Sequence, residues 1–234
     1  MTKSYLPPTQ EIHALFIDEV SAMGCVCPDV YDDGMGLYAR AFFSAPVEVR
    51  PGDAVQGGVA LRAVGEFVDV HPFVYRQVCT NGAIIADALE SRRVQRVDMA
   101  APTVAITAAL AEVRLGIRGC GHPSAFADAV NGMRRATRQP ATSLMAMLLM
   151  FGSDRRMTAA LLSEAAGRFY AGTDSSAYGL MNAITSLARD TRDPERRWRL
   201  EELGGGMLAL IPRQRKSGPS GATMPEEALV DACA

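Results

Sequence analysis

The feature that most constrains this chain is a change of texture at Asn81-Gly82. From Cys25 to Ile85 it runs in short β-branched and aromatic stretches, GLYARAFFS, VEVR, AVQGGVALRAV and EFVDVHPFVYRQVCT, broken by Gly, Pro and Asp. Such runs read as strands. Asp32-Asp33-Gly34, Pro51-Gly52-Asp53 and Gly57-Gly58 read as turns, so about four to six antiparallel strands are expected. After Gly82 the apolar spacing becomes helical. AIIADALESRRVQRV sets Ile84, Ile85, Ala88 and Leu89 on one side and crowds Arg92, Arg93 and Arg96 at its end, where cations suit the helix dipole. Further helices are expected over 103–115, 124–138, 141–151, 157–169 and 177–189, and from Asp193-Pro194 to the stop at Gly204-Gly205-Gly206. An amphipathic helix over 8–24 precedes the strands. The expectation is an α+β fold, an N-terminal antiparallel β-meander followed by a mainly helical C-terminal part. It forms one domain over 1–215, β-rich over 25–82 and helical over 83–206, with a flexible tail at 216–234.

Composition narrows the class. The 234 residues are 48% hydrophobic and 21% charged, which suits a globular body and not a disordered one. Pro7-Pro8 interrupts any apolar leader, and SLMAMLLMFG at 143–152 falls far short of the ~20 residues of a membrane span. It reads as a buried helix. Five cysteines, at 25, 27, 79, 120 and 233, are odd in number and lack C-x-x-C spacing, so reduced thiols and a cytoplasmic, non-membrane protein are expected. Cys25-Val26-Cys27 and Cys120-Gly121-His122 match no zinc pattern, and no phosphate-binding loop or dinucleotide fingerprint is present. No cofactor, metal or catalytic residue is expected.

Charge is unevenly spread. Residues 1–112 hold 8 Lys/Arg against 14 Asp/Glu, residues 113–216 hold 16 against 9, and the last 18 residues hold none against 3. Clustered guanidiniums can neutralise phosphates, so a basic segment on an acidic chain suits an anionic partner. Solvated helix faces or internal pairing, such as Arg197 with Glu201 four residues on, are the plainer explanation. Arg192, Arg196, Arg197 and Arg199 surround the only tryptophan, Trp198, the combination that grips a backbone while a base stacks. Helix packing is the other role open to that ring.

Arg76-Gln77-Val78-Cys79-Thr80-Asn81-Gly82 is the most distinctive segment. It reads as a strand end, then a turn in which Gly82 takes a conformation costly to other residues, then a helix N-terminus suited to an anion, with Cys79 a buried small hydrophobe. Together with Asn182-Ala183-Ile184-Thr185 and the acidic, Gly-rich stretch EELGGG at 201–206, it resembles the phage- and plasmid-related family called domain of unknown function 932, over roughly residues 30–210. The resemblance implies a mobile-element setting and no particular reaction. In broad outline the chain is also similar to single-strand annealing proteins of the RecT and Red-beta groups, at fold level only. The function expected is therefore non-enzymatic binding of single-stranded DNA or RNA, as an annealing or recombination factor in a homo-oligomer. The candidate contacts are Arg76, Arg92, Arg93, Arg96, Arg134, Arg135, Arg138, Arg155, Arg156, Arg196, Arg197 and Trp198, and the motif residues are Thr80, Asn81, Gly82, Asn182 and Thr185. The alternatives are a protein-interaction or assembly module, and an enzyme with an unfamiliar site around Thr80, Asn81, Asn182 and Thr185.

Overall fold

Turn residues place the hairpins. In the computed structural model, which describes residues 4–78, 80–95, 97–98, 101–141 and 158–211, Gly34 N–H donates to Asp32 Oδ1, and Met35 and Gly36 N–H donate to Asp33 Oδ1, each at 2.9 Å. Gly34 takes φ +78°, a region that costs glycine least. This turns β2 (Cys25–Asp32) against β3 (Gly36–Phe43). Gly52 (φ +75°) turns β4 (Val47–Arg50) against β5 (Asp53–Val64), and Gly65 (φ +63°) turns β5 into β6 (Phe67–Arg76). All pairings in the sheet are antiparallel, in the order β2-β3-β5-β6, with β4 joined to β5. A separate pair joins β1 (Ser4–Tyr5) to β9 (Val97–Asp98).

Three expectations are corrected. Gly57 and Gly58 form no turn and lie inside β5. A Cβ on Gly57 would sit 2.4 Å from the Phe126 ring, and one on Gly58 would sit 1.9 Å from the Ala41 carbonyl oxygen, so close packing explains both glycines. The helix expected after Gly82 is absent too. That stretch forms β7 (Asn81–Ile84) and β8 (Arg92–Gln95), which lie end to end on one edge of β6, opposite Phe73–Arg76 and Phe67–Val70. The long edge of β6 offers N–H and C=O groups that outcompete a short helix. The helical reading also put Ile84 and Leu89 on one side, yet Ile84 is fully buried and Leu89 is 87% exposed. With no helix starting at Asn81, the anion-binding helix terminus is withdrawn, and Arg92 and Arg93 cap no helix. Finally, Gly82 has no positive φ, whereas Thr80 does, at 49°. Gly82 is demanding for a steric reason, since a Cβ there would lie 2.2 Å from the Phe73 ring.

Helices cover both faces. One face of the sheet is apolar (Leu37, Ala39, Leu61, Val68, Val70) and packs on α1 (Thr9–Ala22) and α2 (Pro102–Cys120). A second core gathers α3 (Pro123–Ala136), α4 (Ala159–Ala171), α5 (Ala177–Asp190) and α6 (Pro194–Gly206) around Met133, Tyr178, Leu180, Ile184 and Leu200. Thr158, Ser176 and Asp193 cap α4, α5 and α6 by accepting backbone N–H bonds, as the helix starts require. A short 3-10 turn, Met207–Leu210, follows α6. The helix expected over 141–151 and the tail at 216–234 lie outside the described residues. Among those described, no helix is long and apolar enough to cross a membrane.

Glycine seats α6. A Cβ on Gly205 would stand 1.9 Å from the Ile84 carbonyl oxygen, and one on Gly204 would stand 2.4 Å from Thr185 Cγ2. Gly205→Ala should therefore lower the melting temperature more than Gly82→Ala, because a strand carbonyl cannot swing aside as the Phe73 ring can. Overpacking of this kind costs about 1–3 kcal/mol. Thermal melts of the two variants check the order, and the reverse order would mean that α6 does not rest on the β7 backbone.

Candidate functional site

The second face of the sheet is polar. Side chains alternate along a strand, so Tyr38 and Arg40 of β3 share a face with Arg62 of β5, Asp69 and His71 of β6 and Arg93 of β8. Register aligns four of them in one transverse row, Tyr38 opposite Arg62, Arg62 opposite Asp69 and Asp69 opposite Arg93. Asp69, 1% exposed, accepts from Arg62 Nη2 at 2.7 Å and from Arg93 Nε at 2.6 Å. Burial pushes its carboxyl up, but the Arg93 and Arg62 guanidiniums outweigh burial and hold it below the usual range.

Helix α6 roofs this face. Trp198 is wholly buried, edge-on to Tyr38 at 6.4 Å and tilted against His71 at 5.9 Å. The Arg62 and Arg40 guanidiniums lie 5.3 and 5.9 Å from its ring centre. Arg40 donates to buried Glu201 at 2.7 Å. Glu195 collects Tyr38 Oη (2.9 Å), Arg62 Nη1 (3.1 Å) and Arg199 Nε (2.7 Å). Burial, and then the Glu195 carboxylate, raise the Tyr38 phenol above its usual range.

Beside this roof lies a cleft of about 600 Å³. Its floor is Arg62 and His71, one wall is Glu195, Arg199 and Glu202, a stripe on α6, and the other is Ala86, Asp87, Ser91, Arg92 and Arg93 from the β7–β8 loop and β8. His71 is 6% exposed, and neither ring nitrogen has a hydrogen-bond partner among the described residues. Burial lowers its pKa to about 4 against a partial opposing effect of Asp69, so the imidazole is neutral at pH 7.

A second polar node joins the sheet to α5. Asn81 Nδ2 donates to Thr185 Oγ1 at 2.6 Å, both residues being buried. Arg76 clasps Asp53 at 2.6 and 2.7 Å, and the Tyr178 ring stacks beneath the guanidiniums of Arg50 and Arg76. The cavity shared by Asn81, Asn182 and Thr185 measures about 10 Å³, room for no more than about one water. These motif residues form a structural clasp, and the enzyme reading centred on them lacks a pocket.

The expected contact residues divide. Arg93 shares the cleft face with Asp69, whereas Arg92, at the cleft rim, lays the stem of its side chain against Gly116 of α2 on the other face. Arg134 donates to the Glu48 carbonyl at the far end of the sheet, and Arg138 lines a hollow there with Arg50. Glu48 is opposite Ala54, and Arg92 is opposite Val70, which faces Leu61. The span from Ala54 to Leu61 along β5 is about 20 Å, so the basic residues form two patches and not one. Arg135 lines a third hollow beside Asp128 and Leu208. Arg76 is held by Asp53. Arg197 pairs with Glu201 at 3.1 Å, as its spacing suggested, and with Asp29 at 3.0 Å. Arg196 is exposed on α6. Trp198, wholly buried, offers no face for stacking, because α6 turns it into the sheet. Arg96, Arg155, Arg156 and Cys79 lie outside the described residues.

Sequence reasoning missed Arg62, Asp69, His71 and Glu195 as site residues and singled out Arg199 only as a neighbour of Trp198. Two signals mark them. Asp69 and His71 alternate with Val68, Val70 and Pro72 in one strand, and Glu195, Arg199 and Glu202 recur at i, i+4 and i+7. Comparison with protein-family models, with curated proteins and with solved structures yields no match to this chain. Its function is argued from the geometry.

The buried imidazole has a measurable consequence. An unfolded histidine titrates near 6.5, so between pH 6.5 and about 4 the unfolded chain takes up a proton that folded His71 refuses. Stability therefore falls as pH drops through that window, by about 2 kcal/mol at pH 5. Asp69 and Glu195, both held low, subtract only further down, in the carboxylate range. His71→Gln should flatten the dependence of melting temperature on pH between 7 and 5. Parallel curves for the two proteins would show that His71 is not buried as a neutral group.

Proposed function

We propose that this chain is a non-enzymatic protein that binds single-stranded nucleic acid, with the strand running over the cleft between α6 and β8. One observation carries the reading, the convergence of Arg62, Arg93 and Arg199 on that cleft. Arg62 is spent on Asp69 and Glu195, but carboxylates do not use up the other two. Asp69 takes Nε of Arg93, and Glu195 takes Nε of Arg199. Each guanidinium has five N–H donors. The buried acids fix Arg93 and Arg199 by one edge, leaving the Nη forks of two half-exposed side chains, 56% and 46%, for other acceptors. A fork held in advance loses less entropy on meeting a phosphate.

Burial raises the Cys25 and Cys120 thiols to about 11 and 12, so neither supplies a thiolate nucleophile at neutral pH. The cleft favours a single strand over a duplex because its buried floor is reached only by a base free of its partner.

The test is fluorescence anisotropy of labelled single-stranded oligonucleotides across a salt series. Affinity should fall linearly in log–log form, and Arg93→Ala with Arg199→Ala should lower the slope by about two, one per lost phosphate contact. Arg134→Ala with Arg138→Ala, at the far end, should leave the slope nearly unchanged. Absence of binding at low salt would favour the assembly-module reading, and equal loss from both double variants would move the strand off the cleft.

A further inference from the structure

We infer that the cleft is a pocket for one nucleotide unit, with its phosphate on the Arg93 and Arg199 forks and its base at His71, the amino-bearing edge turned towards Asp87. The inference rests on the strand-binding reading and adds to it a chemical preference. Three features point beyond a bare phosphate. The volume of about 600 Å³ is that of pockets for whole small molecules, which run to about 300–1,000 Å³.

His71, 6% exposed with both nitrogens unpartnered among the described residues, lies on the cleft floor. In its neutral form it has one N–H donor and one lone-pair acceptor. A phosphate oxygen can only accept, so it can meet only the N–H, whereas a base edge carries both donors and acceptors and can match whichever ring nitrogen faces it. The third feature is Asp87, an exposed carboxylate on the opposite wall from α6. It repels a bare phosphate and accepts from ring N–H and exocyclic amino groups. Guanine offers two adjacent donors, N1–H and N2–H, that match a carboxylate's two oxygens. Adenine and cytosine offer one amino group, and uracil and thymine offer only an N3–H flanked by two carbonyl oxygens that a carboxylate repels. The expected order is guanine, then adenine and cytosine, then uracil or thymine.

The full chain is titrated by calorimetry with GMP, CMP, UMP and inorganic phosphate, and by anisotropy with oligo-dG and oligo-dT of equal length. GMP should bind at least ten-fold more tightly than UMP or phosphate. Asp87→Asn, an exposed substitution whose fold is checked by circular dichroism, should bring the GMP to UMP ratio close to one. His71→Phe should weaken all three nucleotides and leave the weak phosphate binding intact. Equal affinity for GMP, UMP and phosphate would overturn the inference and leave a simple anion site. Oligonucleotide binding that ignores base identity and both substitutions would also overturn it, while the strand-binding reading would stand. GMP binding without oligonucleotide binding would uphold the pocket as a site for free nucleotides and overturn the strand reading. If neither binds, both fail.

Discussion

The molecule depends on how closely α6 approaches β7. Gly205 stands against the Ile84 carbonyl and Gly204 against Thr185, at distances where any Cβ would overlap its neighbour. That contact lets Trp198 reach the sheet and brings Glu195 and Glu201 over Arg62 and Arg40. Thr185 in turn holds Asn81. Three short segments that are distinctive in the sequence, Thr-Asn-Gly at 80–82, Asn-Ala-Ile-Thr at 182–185 and Gly-Gly-Gly at 204–206, thus meet around one strand. They are the joint of the fold.

The polar face beneath α6 contributes position more than stability. Taking Asp69 and Glu201 out of water costs several kcal/mol per ion, and guanidinium partners roughly offset that cost. A pair of this kind is worth little on balance but is severe to break, because one charge is then left buried. Its consequence is geometric. Asp69 sits between Arg62 and Arg93, and Glu195 between Arg62 and Arg199, so three guanidiniums from two strands and a helix are fixed around one opening. Trp198 supports them from within. Its ring lies near the Arg62 and Arg40 guanidiniums and fills the volume above Ala60, whose small side chain leaves room for it.

Much of the fold was legible from local chemistry. The Asp32-Asp33-Gly34 and Pro51-Gly52-Asp53 turns, the strands through Arg76 and the start of α6 at Asp193-Pro194 all follow from φ preferences, short polar side chains and apolar spacing that act within a few residues. Reading failed where the decisive partner was remote. Gly57-Gly58 signals a turn locally, but Phe126 and Ala41 impose the requirement for glycine from other elements. Residues 83–95 have helical spacing, yet the open edge of β6 claimed them as strands.

The site shows the same division. Sequence alone determined that the chain carries an excess of arginine after residue 113, that Arg92 and Arg93 stand together, and that Arg197 can pair with Glu201 one turn on. Only the tertiary structure decided which cations act together, since register aligns Arg62, Asp69 and Arg93 across three strands and α6 delivers Arg199 to them. It also turned Trp198 inward and His71 into a buried neutral group at the foot of a cleft. Register and helix docking are set by the summed packing of distant residues, and no window of sequence contains that sum.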